Sequence, residues 1–329
     1  MWTIENLDAL MHQIAIQQPN QDLVLSGHFN RNPEGRDYFE QRVSQLRNQV
    51  QSSQRNGFDE SVVAARHFWK SANCKAPAFA FFVRGGSRML FYHAPVSLAV
   101  TNRVSVSHSA SLYLLCELRD NLNRFSLLHI RADEVHVAHF ELGSRQFHLS
   151  FRAAFRSSSW NGALLESMRQ FADHKANLPN STWIMAAPEA ILSECQGLLR
   201  RKVEMLDVDA GADFHSVQQS ALHRFTVKEE QQSKRFAHSL LVRQKQGQPI
   251  LLGPASVIAA LETQAVRAVV LNARNPRDLA IRWARNDSDP FSFHDRVALL
   301  AKRHNTHVEI VNECEELLAA GGSACLLVK

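Results

Sequence analysis

Residues 251–272 read LLGPASVIAALETQAVRAVVLN, and residues 306–329 read THVEIVNECEELLAAGGSACLLVK. Gly253 followed by Pro254 marks a helix start, because proline in the first helical turn gives up no needed N–H. Val257, Ile258 and Leu261 follow at helical spacing. Val266–Leu271 is a short, β-branched run, the pattern of a buried strand. Phe293–His304 predicts an amphipathic helix, with Val297, Leu299 and Leu300 apolar among charges. His307–Val311 predicts a second strand. Glu313–Ala320 predicts a short helix stopped by Gly321 and Gly322, and Cys325–Val328 a closing strand. Helices alternating with strands predict an α/β/α sandwich with a sheet at its centre.

The rest of the chain fits two or three domains: it has 329 residues, against roughly 100–200 per domain. A hydrophobic content of 45% is ordinary for buried cores. No apolar run approaches bilayer length, and MWTIENLDALMHQ carries acidic residues and no long apolar core, so no signal peptide is expected. Cys74, Cys116, Cys195, Cys314 and Cys325 are scattered without CxxC pairs. That pattern predicts free thiols in a reducing cytosol. The formal net charge of +5 suits a polyanionic partner without requiring one.

Along the chain, Ile4–Ile16 predicts an amphipathic helix and Asp22–Phe29 a strand. Asn30–Arg36 predicts a turn and Tyr38–Ser52 a helix. SSQRNG (52–57) predicts a break before a helix at Phe58–Ala72. Phe79–Val83 and Met89–His93 predict a hairpin around Gly85–Gly86–Ser87. Pro95–Val106 predicts an extended exit. Ala110–Leu118 predicts a helix; Phe125–Ile130, Val135–Phe140 and Phe147–Phe151 predict strands. Ala163–Lys175 predicts a helix, Trp183–Ala186 a central strand and Pro188–Leu199 another helix. Val203–Val208 predicts a strand and Phe214–Lys228 a helix. A charged, Gln-rich helix over Ser220–Gln246 leads to the last domain.

The order of these words resembles the eukaryotic-type class-1 release factor and Pelota family. The words are Ala260–Leu261–Glu262 with Ala265–Val266, then Val308–Glu309–Ile310–Val311 before an acidic helix, then Gly321–Gly322–Ser323–Ala324. The resemblance implies an α/β protein of three domains, each a sheet with packed helices. They are an N-terminal α/β domain of decoding type at 1–108, a ribonuclease-H-like middle domain at 109–228 and an α/β/α sandwich at 229–329.

In release factors the turn between the two N-terminal helices carries Asn-Ile-Lys-Ser. The matching place, Gln49–Gly57, lacks it but is flanked by or contains Arg47, Asn48, Arg55 and Asn56. Arg and Asn suit phosphates and bases, and a plain solvated turn explains them equally. The middle-domain loop that carries Gly-Gly-Gln in release factors corresponds to Arg152–Gly162. Gly-Gly-Gln is absent there and everywhere else. The departure removes the warrant for peptidyl-tRNA hydrolysis and points to the Pelota-like members, which bind ribosomes without hydrolysing the ester. Arg145, Arg152, Arg156 and Trp160 remain near this loop, guanidinium groups for phosphates and an indole for base stacking. The other reading is a basic surface loop with Trp160 folded onto the core.

His136 and His139 are three apart on a predicted strand, so they face opposite ways and do not chelate together. His304 and His307 straddle a helix-to-strand break. No metal site and no cofactor are expected. Asp207 and Asp209 at a strand end, with Asp133 and Glu134, form the alternative: a Mg²⁺-dependent nuclease. Against it, an aspartate at that turn caps the next helix. No P-loop or GxGxxG is present. The resemblance therefore implies a non-enzymatic ribosome-binding factor of rescue or hibernation type. Its implied partners are ribosomal RNA and a translational GTPase, with no membrane partner. A nuclease, or an interaction scaffold that kept the fold, stands as the rival.

Overall fold

The computed structural model describes residues 3–17, 22–71, 76–86, 88–131, 134–152, 182–196, 203–263, 266–273 and 293–328. The first elements are α1 (Ile4–Ala15), β1 (Val24–Asn30), α2 (Pro33–Gln49) and α3 (Arg55–Ser71). Then come β2 (Ala78–Arg84), β3 (Leu90–Val96), β4 (Arg103–Ser107) and α4 (Tyr113–Asn121). The strands form an antiparallel sheet in the order β3-β2-β1-β4. Alternation sends Leu25 and Phe29 of β1 to the face covered by α2 and α3. There the Phe29 ring meets Phe39 edge-on at 5.5 Å, stacks on Phe81 at 5.6 Å and lies 5.2 Å from Trp69.

Three local expectations are corrected here. The stretch 30–36 is not all turn: Asn32 Oδ1 accepts from the Gly35 N–H at 2.8 Å, and Pro33 opens α2. The break predicted at 52–57 is shorter, because Arg55–Gly57 already belong to α3. The backbone at Gly57 lies against Gly85, and a Cβ on Gly85 would overlap the Gly57 carbonyl oxygen. The predicted extended exit holds β4, which pairs with β1 from Val24↔Ser107 to His28↔Arg103. Asn30 fixes that return: its side-chain amide donates to the Val100 carbonyl at 2.6 Å and its Oδ1 accepts from the Val100 N–H at 2.8 Å.

The second sheet comprises β5 (Arg124–Ile130), β6 (Glu134–Glu141), β7 (Ser144–Arg152), β8 (Thr182–Ala187) and β9 (Val203–Asp207). Its order is β7-β6-β5-β8-β9, with β5, β8 and β9 parallel and β6 and β7 antiparallel. This 3-2-1-4-5 order is the ribonuclease-H-like layout that the family resemblance implies. The middle strand is β5; the predicted central strand, β8, lies between β5 and β9. One face packs Leu128, Ile130, Val135 and Val137 with Leu192 of α5 (Glu189–Gln196). The other packs Phe125, Leu127, Ala138 and Phe140 against Val217, Ala221 and Phe225 of α6 (Phe214–Lys245). The two helices predicted over 214–246 are thus one helix of 32 residues. The helix predicted at Ala163–Lys175 lies outside the described residues.

The third sheet holds β10 (Ile250–Leu252), β11 (Val266–Asn272), β12 (His307–Val311) and β13 (Ser323–Leu327), in the order β10-β13-β11-β12. β11 and β12 are parallel, and β13 is antiparallel to β10 and β11. Val270, Val311 and Ala324 pack on Ala237 and Leu240 of α6 and Leu317 of α9 (Glu315–Ala319). On the opposite face α7 (Pro254–Glu262) and α8 (Phe293–Arg303) contribute buried Val257, Leu261, Val297 and Leu300. The α/β/α sandwich is as predicted; β10 is additional.

Residues 121–231 form one compact unit. The remainder forms the other, so the first and third sheets share it. Within that unit α1 lies against α8. Lys302 Nζ donates to Asp8 Oδ1 at 2.9 Å, and the His12 ring Nδ1 is 2.9 Å from the Lys302 carbonyl oxygen. No helix among the described residues is long and apolar enough to cross a membrane. The described cysteines, Cys116, Cys314 and Cys325, are free thiols. Burial pushes Cys116 up to about 12 and Cys325 to about 11, so neither is a reactive thiolate near neutrality.

Candidate RNA interface

Arg47 and Asn48 end α2, and Arg55 and Asn56 begin α3. A single 3-10 turn, Ser52–Gln54, separates the two helices. The short connection brings all four side chains to one end of the helix pair, and all four are exposed. They are not equally available. Arg47 Nε and a terminal nitrogen donate to Asp59 Oδ1 and Oδ2, both at 2.8 Å. That hydrogen-bonded pairing raises the Arg47 pKa and holds Asp59 below the usual carboxylate range. A phosphate at Arg47 must therefore compete with a planar carboxylate. Arg55 Nε donates to the Val50 carbonyl at 3.3 Å, which holds its stem over the turn.

Arg145 lies on β7 in the middle unit and is exposed. Its guanidinium carbon stands 5.8 Å from the Phe214 ring centroid, a cation–π contact. Arg152 ends β7 opposite Glu134. The Arg152 side chain lies outside the described residues, as do Arg156, Trp160 and the whole of 153–162.

A further cationic place escaped the sequence reading. Arg31 and Arg36 flank the start of α2 and, with Trp69, line an open groove that also holds Asp37 and Glu40. Glu40 accepts from Arg66 at 2.6 Å. The signal was local: an Asn-Pro pair between two arginines announces a helix N-terminus, where backbone N–H groups favour anions.

Among the described residues Asp207 and Asp209 join no cluster of three metal-ligating side chains, and Asp133 lies outside the described residues. Asp207 closes β9, an edge strand, and both are exposed. Glu134 is on β6, three strands away, or about 14 Å at the usual strand spacing. Two-metal chemistry holds its ions about 4 Å apart. Nor does either residue cap α6. Asp213 does so, its Oδ1 accepting from the N–H groups of His215 (2.9 Å) and Ser216 (3.0 Å), and these bonds lower its pKa.

The histidines are less scattered than the sequence suggests. His136 and His139 do face opposite ways: His139 Nδ1 lies 3.1 Å from the Ser126 hydroxyl, while His136 joins a stack on the α6 side. There the His129 and His136 rings are 5.6 Å apart, His136 and His148 5.4 Å apart, and Phe214 covers His148 at 4.5 Å. His136 Nδ1 and His148 Nε2 are 3.2 Å apart, so one nitrogen donates to the other. His129 is fully buried, and among the described residues neither ring nitrogen has a hydrogen-bond partner. Burial pushes its pKa down to about 4.

No family model matches the chain, and no curated protein does. Among solved structures, the chain is similar to the Archaeoglobus fulgidus Pelota crystal structure. Identity is 12% and the TM-score 0.41, over 98% of this chain and 92% of that one. It is similar to a chain in a model of ribosome-bound archaeal Pelota and ABCE1, at 13% identity and TM-score 0.43, over 100% and 95%. It is also similar to the archaeal translation termination factor aRF1, at 13% identity and TM-score 0.31, over 100% and 99%.

Proposed function

We propose that this chain is a non-catalytic, ribosome-binding translation factor of the cytosol, of rescue or hibernation type, that occupies the tRNA-entry site. The observation that carries the reading is the succession, among the described residues, of three sheets of four, five and four strands, in the element order the family resemblance implies. The middle sheet has the 3-2-1-4-5 order, and the last is layered between helices. The chain lacks Gly-Gly-Gln, so a ribosome-binding factor without a hydrolytic tip is the economical reading of fold and sequence together.

The physical basis is additive phosphate contact. Each candidate patch is small: Arg55 with Asn48 and Asn56 on the first domain, Arg31 and Arg36 at the other end of α2, Arg145 on the middle domain. Patches on separate domains of one chain sum their free energies, and each neutralised phosphate releases counterions. A translational GTPase fits as the partner that delivers such a factor.

Co-sedimentation with ribosomes at rising salt tests the reading. The expected result is pelleting at low salt that falls steeply as salt rises, with a logarithmic slope of about −0.9 per phosphate neutralised. A chain that stays in the supernatant at the lowest salt overturns it.

A further inference from the structure

We propose that Asp120, His307 and Glu309 form a binding site for a first-row divalent cation of the zinc or manganese class. The site lies within the unit that holds the first and third sheets, and does not rest on the ribosome reading.

Two donors come from one strand. His307 and Glu309 are two apart on β12, so their side chains project from the same face. The third comes from 187 residues upstream. β12 is an edge strand, and an edge leaves backbone groups without a strand partner. α4 brings Asp120 to that edge, where its Oδ2 accepts from the Ile310 N–H at 2.6 Å. One ligand atom from each of the three residues lies within 4.8 Å of the other two.

The donor chemistry is mixed: one imidazole nitrogen and two carboxylate oxygens. That set suits zinc or manganese and leaves coordination positions for water. Ligand–metal distances of 2.0–2.2 Å put tetrahedral donors about 3.3 Å apart. Side-chain rotations that move each donor by about an ångström close the set around an ion.

The surroundings hold these ligands in place. The Ser233 hydroxyl donates to Glu309 Oε1 at 2.6 Å, which directs Oε2 toward His307 Nε2, 2.8 Å away. Supporting hydrogen bonds of this kind orient metal ligands. Asp120 is 7% exposed and the Glu309 side chain 15%, so two carboxylates converge in a poorly hydrated place. A divalent cation offsets both their repulsion and their desolvation. The His307 side chain is 42% exposed, and that side gives an ion its way in. When the ion enters, His307 Nε2 exchanges its contact with Glu309 Oε2 for a bond to the metal, the imidazole proton resting on Nδ1. The bound ion would cross-link α4 to the third sheet.

The test uses the full chain, stripped with chelator and desalted, and titrated with Zn²⁺ by calorimetry and Co²⁺ by visible absorption. One equivalent is expected to bind, and zinc to raise the thermal midpoint. D120N and H307A should each weaken binding about tenfold or more, while H223A, on the exposed face of α6, should not. Asn at 120 retains an acceptor for the Ile310 N–H, so lost uptake there is not lost folding; circular dichroism of each variant checks this. No uptake by the parent chain, or uptake retained by either ligand variant, overturns the site.

Discussion

The Ser111 hydroxyl donates a 2.5 Å hydrogen bond to Asp295 Oδ1, across 184 residues of chain. Asp295 is 2% exposed and its other oxygen lies 3.6 Å from Arg103. The Ser111 N–H in turn donates to the Ser26 hydroxyl at 3.1 Å, so β1, β4 and α8 meet through one polar chain. A charge this deeply buried is tolerable only while its partners stay in place.

Asp295→Ala is accordingly expected to destabilise the unit holding the first and third sheets by about 3 kcal/mol, because Ser111 and Arg103 lose a buried acceptor. Asp295→Asn keeps one acceptor oxygen and should cost less. Urea unfolding of both variants measures the difference; equal losses would show that the charge, not the hydrogen bond, sets the cost.

Ser61 links α3 to the hairpin. Its buried hydroxyl donates to the Gly57 carbonyl at 2.9 Å and accepts from the Gly85 N–H at 2.7 Å. Ser61→Ala leaves that N–H without its acceptor, at a cost of about 1–3 kcal/mol. Amide exchange at Gly85 should accelerate in step with the stability loss; unchanged protection there would refute the link.

His129 makes the middle unit acid-sensitive. Its pKa is about 4 in the folded chain against 6.5 for the free group. The unfolded state therefore binds the extra proton, and stability is lost as pH falls from about 6.5 toward 4. Between pH 7.5 and pH 5 the loss is on the order of 2 kcal/mol. Burial also lowers His148, with the same sign. His129→Leu should flatten this part of the pH dependence in urea unfolding followed by circular dichroism. An unaltered profile would assign the acid loss elsewhere.

Asp59 restrains Arg47. Asp59→Asn removes the paired carboxylate and should strengthen ribosome co-sedimentation, steepening its salt slope by up to about 0.9. Arg47→Ala in the parent chain should change it little, because the guanidinium is already engaged. A large loss from Arg47→Ala would instead place Arg47 in direct contact with RNA.

Much of the fold was legible from local pattern. The Gly85–Gly86 turn between two apolar runs marked the hairpin, and Gly253–Pro254 and Gly321–Gly322 marked a helix start and a helix stop. Periodicity distinguished α8 from β12 because their apolar positions repeat at different spacings. β4 was missed: Val104 and Val106 alternate over only five residues, too short a run to outweigh the Pro and Ser around it. The start of α2 was missed although Asn32 and Pro33 carried the signal.

The candidate sites divide along the same line. The sequence by itself determined which residues are cationic, which segments are helix or strand, and that no Gly-Gly-Gln is present, because these follow from side-chain identity and from the repeat of the backbone. Only the tertiary structure decided that Asp59 engages Arg47, that three histidines stack on one sheet face, and that Asp120 reaches the edge of β12 beside His307 and Glu309. Those meetings depend on strand order and helix packing. They arise from burying apolar faces over the whole chain, which no spacing between neighbours in the sequence records.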